Sequence, residues 1–153
     1  PTNLKLANAF ILMAGMAFGG LRGGLAGGIG SVIFDLTNPA YISSAPFTLI
    51  FFFMMGFVCG VVSSIGNKKG NQLLWNIIGG TAGALTYFVL HIGKSIVALV
   101  LAGSDFGAAF LACSTKMVTS GINVIIGVVI AVIITPAIKL ALNKTGIYQK
   151  LAR

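Results

Sequence analysis

Five long apolar stretches, at 4–20, 23–36, 46–66, 72–102 and 107–142, occupy most of the 153 residues and leave only short connections between them. Hydrophobic residues make up 57% of the sequence and charged residues 8%, too few polar side chains to cover a water-soluble domain of this size. A bilayer supplies the missing outer surface, and one crossing needs roughly 20 apolar residues. None of the stretches alternates with period two over barrel-strand lengths, and an open sheet edge cannot sit in lipid, so each reads as a helix or a broken helix. The expected fold is an all-α membrane protein, a single domain over 1–153 built as a bundle of five transmembrane helices. The second stretch is short, whereas the fourth and fifth exceed a bilayer's thickness and must tilt, break or protrude. Pro136 is expected to kink or end the fifth.

Charge placement sets an expected orientation. Ten Lys and Arg residues stand against only Asp35 and Asp105, for a net charge of +8. A basic balance of this kind would suggest nucleic acid as partner in a soluble protein. Here the basic residues lie singly or in pairs at segment ends, which the positive-inside bias accounts for. Lys68 and Lys69 between the third and fourth stretches, and Lys139, Lys144, Lys150 and Arg153 at the end of the fifth, are therefore expected in the cytoplasm. Alternation puts Arg22 inside with them, and the 37–45 and 103–106 loops outside. Pro1 then falls outside, and a further helix upstream would return the N-terminus to the cytoplasm.

Gly15, Gly19, Gly23, Gly27 and Ser31 recur every four residues, and Gly20, Gly24 and Gly28 form a second row. In lipid, small residues at i and i+4 let helix backbones approach closely. The row serves either packing within the chain or docking of a partner subunit, and a turn near residues 19–24 would divide it between two helices. Residues 28–33, GIGSVI, lack the third glycine of a dinucleotide fingerprint, and the chain carries no GxxxxGK[ST]. ATP hydrolysis would have to come from a partner.

Ionisable residues at membrane depth are costly and point to function. Tyr87, His91, Lys94 and Ser95 share one face of the fourth stretch near its outer end, and Lys116, Thr119, Ser120 and Asn123 form a stripe on the fifth. The two stripes, with Asn8 and the loop residues Asn38 and Tyr41, would line an outward-facing polar pocket. The alternative is that both lysines snorkel to the interface and His91 is a packing residue. Cys59 and Cys113 lie in apolar runs with no metal-ligand spacing and read as small buried hydrophobes. With one histidine, no carboxylate pair and no Ser/His/Asp set, the sequence offers no basis for an enzyme, and no cofactor or metal is expected.

Residues 6–13 (LANAFILM), 18–31 (FGGLRGGLAGGIGS), 34–36 (FDL) and 39–48 (PAYISSAPFT) together resemble the S component of energy-coupling factor (ECF) transporters. The resemblance is close over about the first 65 residues and rests on hydropathy beyond them. It implies a six-helix fold of which the five stretches match helices two to six. It also implies a multi-pass subunit of the bacterial cell membrane, with its C-terminus cytoplasmic, that captures a vitamin at the outer side. Its partners would be a transmembrane coupling (T) subunit and two ATPase subunits. Among vitamins, the 38–42 and 45–48 blocks look most like members that take pantothenate, with hydroxymethylpyrimidine or pyridoxine as alternatives. A carboxylate ligand would suit Lys94 or Lys116 through a charge-assisted hydrogen bond. The expected binding residues are thus Asn8, Tyr41, His91, Lys94, Lys116 and Asn123, with Gly15, Gly19, Gly23 and Gly27 as the partner-subunit face. A stand-alone carrier or a scaffold without ligand is the competing reading.

Overall fold

The computed structural model describes residues 6–37, 39–65 and 72–144. Asn38, the Lys68–Lys69 pair and the tail carrying Lys150 and Arg153 lie outside the described residues. Five α-helices follow one another: α1 (Leu6–Phe18), α2 (Gly20–Thr37), α3 (Ala45–Ser63), α4 (Leu73–Leu101) and α5 (Phe106–Lys144), with a 3-10 turn at Ile42–Ser44 ahead of α3. The segments Ile42–Ser63, Leu73–Leu101 and Phe106–Lys144 are long and apolar enough to cross a membrane, and α1 is a shorter apolar helix. α2, which carries Arg22 and Asp35 among its glycines, is not among the three, so the five helices expected are present but three of them have the length and hydropathy of a membrane span.

The first two helices are joined by one residue. Gly19 has φ +86°, a conformation open to glycine because a Cβ there would crowd the backbone. Its N–H donates to the Gly15 carbonyl at 2.9 Å and its own carbonyl accepts from the Gly23 N–H at 2.9 Å, so the helical bonding of α1 closes as that of α2 opens. The chain reverses there: Gly23 lies against Gly15, and Gly27 against the Ile11 side chain. Arg22, placed in a loop by hydropathy, is instead an exposed residue in the first turn of α2. A single left-handed residue makes a loop unnecessary, and hydropathy does not register it.

The second glycine row faces α3. A Cβ on Gly20 would lie 2.8 Å from the Phe57 carbonyl, and one on Gly24 2.8 Å from that of Phe53. On α3, Gly60 fits against Gly20 in return. Without side chains between them, three helix backbones come into direct contact, the arrangement that dispersion and short carbonyl contacts favour in lipid. α4 then packs on α3 through Gly79 and Gly83, α5 on α4, and α1 returns to α5, closing a ring in which α1 also touches α3.

α1, α3 and α5 run parallel, and α2 and α4 oppose them. The α1–α5 register is fixed at two levels, Asn8 opposite Gly127 and Met16 opposite Thr135. Between the helices lies a core of Leu12, Met16, Phe52, Met55, Cys59, Tyr87, Val124 and Ala131. Both cysteines are free and buried. α5 does not end at Pro136 but continues to Lys144. Proline removes one backbone donor, and the preceding Thr135 hydroxyl donates to the Ala131 carbonyl at 2.6 Å, so the helix is locally supported through the break. At 39 residues α5 is about 58 Å long, well beyond the bilayer core, as its length in sequence required.

Candidate functional site

Polar and aromatic side chains on α1, α3, α4 and α5 form the candidate site. Asn8, on the first turn of α1, has 0% of its surface exposed. A Cβ on Gly127 of α5 would come within 3.1 Å of the Asn8 Cβ, so the absence of a side chain at 127 is what admits the amide.

Phe52 begins a stack of rings. Its centroid is 4.8 Å from that of Tyr87 on α4, with the planes 15° apart, and Tyr87 lies 5.4 Å and 10° from His91. The i, i+4 spacing of Tyr87 and His91 superposes their rings on one face of α4. The face opposite comes from α3, held close because Gly83 of α4 sits against the Met55 carbonyl. Phe52 and Tyr87 are buried, while His91 is half-buried, so the stack leads from the core toward the end of the bundle that carries the 39–44 and 102–105 segments. Asn123, buried on α5, stands one turn beyond Gly127 in the same direction.

At the mouth, Lys94 reaches across from α4 to α3 and holds its Nζ 3.9 Å from the centroid of the Phe47 ring. Phe47 in turn meets Phe51 at 6.3 Å. An ammonium over a ring face is held by the ring quadrupole, worth about 0.5–1 kcal/mol at an exposed site and more where water is excluded.

Of the residues singled out by sequence, His91 stacks on Tyr87 and Lys94 lies over Phe47, while Asn8 and Asn123 are buried on α1 and α5. Lys116 is exposed on α5, and the nearby Thr119 hydroxyl bonds back to the Thr115 carbonyl. Tyr41, 43% exposed, lies just ahead of the 3-10 turn at the mouth. Gly15, Gly23 and Gly27 are buried in the α1–α2 seam, and Gly19 forms the turn itself. Sequence reasoning missed Phe47 and Phe52, because an aromatic in an apolar helix carries no mark of which neighbour it will face.

A second polar group lies deeper. Ser63 on α3 and Asn76 on α4 are both buried, and a Cβ on Gly79 would fall on the Ser63 hydroxyl. Thr135 lies there too, its hydroxyl 3.5 Å from the Met16 sulfur. Among the described residues no group of three His, Cys, Asp or Glu side chains is placed to hold a metal ion.

The chain is similar to known sequences in two ways. A family model described as "ECF-type riboflavin transporter, S component" matches residues 1–140. A protein of Pyrococcus woesei, described as "Uncharacterized protein in gap 3'region", is 32% identical over 119 residues, which cover 78% of this chain and 74% of that relative. No solved structure matches.

Proposed function

This chain belongs to the ECF-type riboflavin transporter S component family, and from that premise we propose that it is the membrane-embedded subunit that captures a vitamin for an ATP-driven importer. Members of the family are transporter subunits, which associate with a T subunit and ATPase subunits; ATP hydrolysis belongs to those partners. In the proposed arrangement the five helices correspond to helices two to six of the S-component fold, and the C-terminus is cytoplasmic. The candidate site of Asn8, Phe52, Tyr87, His91, Asn123 and Lys94 opens to the outside, with Tyr41 beside its mouth.

The observation that supports the substrate class is the parallel stack of Phe52, Tyr87 and His91, which ends toward the mouth on the half-buried His91 ring. Flat apolar faces with a few placed polar groups are what a planar heteroaromatic ligand requires. Riboflavin, the vitamin in the family's description, is such a molecule. Pantothenate, suggested by the 38–42 and 45–48 blocks, has no ring, and its carboxylate would call for a lysine within reach. Lys94 already lies over Phe47 and Lys116 is exposed, so neither geometry favours that finer reading.

Two measurements test the proposal. Mass spectrometry of small molecules that co-purify with the chain is expected to find a ring vitamin. Vesicles containing this chain alone are expected to bind that vitamin without accumulating it, and accumulation is expected once the T and ATPase subunits and ATP are added. Accumulation by the chain alone would overturn the subunit reading in favour of an independent carrier.

A further inference from the structure

Among the described residues, α1 begins well short of the mouth end of α5. It lies between α3 and α5 and touches both. Its two levels of contact with α5, Asn8 opposite Gly127 and Met16 opposite Thr135, share one offset, which sets Leu6 level with Ile125. From there α5 continues to Phe106, about 28 Å at 1.5 Å per residue, with no described helix on its α1 side. Burial changes at the same boundary. Asn123, Gly127, Ala131, Thr135 and Lys139, four residues apart on α5, are all buried. Toward the mouth the same line is uncovered: Thr119 and Ser120 are half-buried and Lys116 is exposed. Between 106 and 122 the buried residues are Ala109 and Cys113, on the line that leads through Val124 to Val128, which meets Gly80 of α4. This part of α5 packs on α4 and is open where α1 would continue.

The open side is polar and the opposite side is not. Lys116, Thr119, Ser120 and Asn123 share one face, whereas the exposed Val118, Ile122, Ile125 and Val129 share the other. Lys116 stands ten residues in from Phe106, about 15 Å along the helix. Beyond it, Phe106, Phe110 and Leu111 are exposed apolar residues, as is Leu101 of α4, so the rim around the lysine is one that lipid covers. An ammonium set below that rim faces water or protein, because hydrocarbon would leave the charge unsolvated. The hydroxyls and amide that continue inward from it are groups that water satisfies. The α3–α4 seam offers no comparable opening, closed as it is by Lys94 over Phe47 and by Phe52 on Tyr87.

We propose that the polar face of α5 is one wall of a water-filled cleft beyond the first turn of α1, and that the ligand enters by this cleft rather than through the α3–α4 seam. The inference rests on the capture reading given above and adds to it the side of the bundle on which the site is reached.

The test places single cysteines in the full chain in intact cells and treats them from outside with a membrane-impermeant thiol reagent. Lys116→Cys and Ser120→Cys report on the wall, Val118→Cys and Ile122→Cys on the apolar face; the native Cys59 and Cys113 are buried and add little background. A thiol in water ionises and reacts, whereas one in lipid does not. Positions 116 and 120 are expected to react and positions 118 and 122 are not. Riboflavin at about ten times its dissociation constant is expected to slow the reaction at 116 and 120 roughly tenfold, since occupied sites are shielded in proportion. Ser120→Cys is close to isosteric and decides alone should Lys116→Cys fail to fold. Reaction at none of the four positions, or at 118 and 122 in place of 116 and 120, would overturn the cleft and leave capture of the vitamin intact. Reaction at 116 and 120 that bound riboflavin does not slow would overturn the route. A purified chain that binds no riboflavin would overturn the capture of that vitamin, and the proposed route with it.

Discussion

Gly15 of α1 and Gly23 of α2 meet backbone to backbone across the Gly19 turn, so that a Cβ built on Gly23 would land on the Gly15 backbone. Backbone cannot swing aside as a side chain can. Gly23→Ala is therefore expected to destabilise the subunit at or above the ~1–3 kcal/mol typical of overpacking, read as a lowered thermal midpoint in detergent. Gly30 on the same helix has nothing within 4 Å of its Cβ position, and Gly30→Ala is expected to leave the midpoint unchanged or slightly raised, by about 0.5–1 kcal/mol of helix propensity. If the glycine row instead serves docking, Gly23→Ala would keep its midpoint and ligand and lose only the partner subunits in a pull-down.

Lys94 over Phe47 is a contact within the protein, and its removal has a small expected effect on a neutral ligand. Calorimetry of Lys94→Met is expected to show riboflavin affinity changed by about 1 kcal/mol or less. An anionic vitamin held by the ammonium would lose ~2–5 kcal/mol instead. A loss of that size for pantothenate would restore the carboxylate reading, and the exposed Lys116, changed to Met, serves as the companion measurement.

Tyr87 is stacked on both faces, by Phe52 and by His91. Tyr87→Leu keeps an apolar side chain but removes two ring pairs worth ~0.5–1.5 kcal/mol each. Both the thermal midpoint and the affinity for a ring vitamin are expected to fall. An unchanged midpoint would show that the stack does not hold α3 to α4.

Orientation is open to labelling. Cys59 and Cys113 are 0% and 1% exposed, so a membrane-impermeant thiol reagent should give little background. A cysteine at position 105 is expected to react from outside intact cells and one at position 68 is not. The reverse pattern would invert the proposed topology and place the mouth of the site in the cytoplasm.

The sequence by itself determined the class of fold. Helix after helix in an apolar chain follows from backbone hydrogen bonding in lipid, a local requirement that each segment meets alone, and the boundaries read from hydropathy agree with α3, α4 and α5 to within a few residues. The blocks between 6 and 48 carried the family as well. The Tyr87–His91–Lys94 face was legible because i, i+3 and i+4 positions on one helix are neighbours whatever the rest of the chain does.

Only the tertiary structure decided what those faces meet. Hydropathy could not tell Gly19 as a turn from Gly23 as a seam, since the distinction lies in a backbone angle and in which backbone arrives opposite. Nor could it tell Lys94, drawn across to Phe47, from Lys116, left exposed, because the two have the same chemistry and similar local surroundings in sequence. Phe52 met Tyr87, and Asn8 met Gly127, through the register of α3 against α4 and of α1 against α5. That register is set by which small residues let backbones touch, a sum over contacts between segments far apart in the chain, so it exists only once the bundle is assembled.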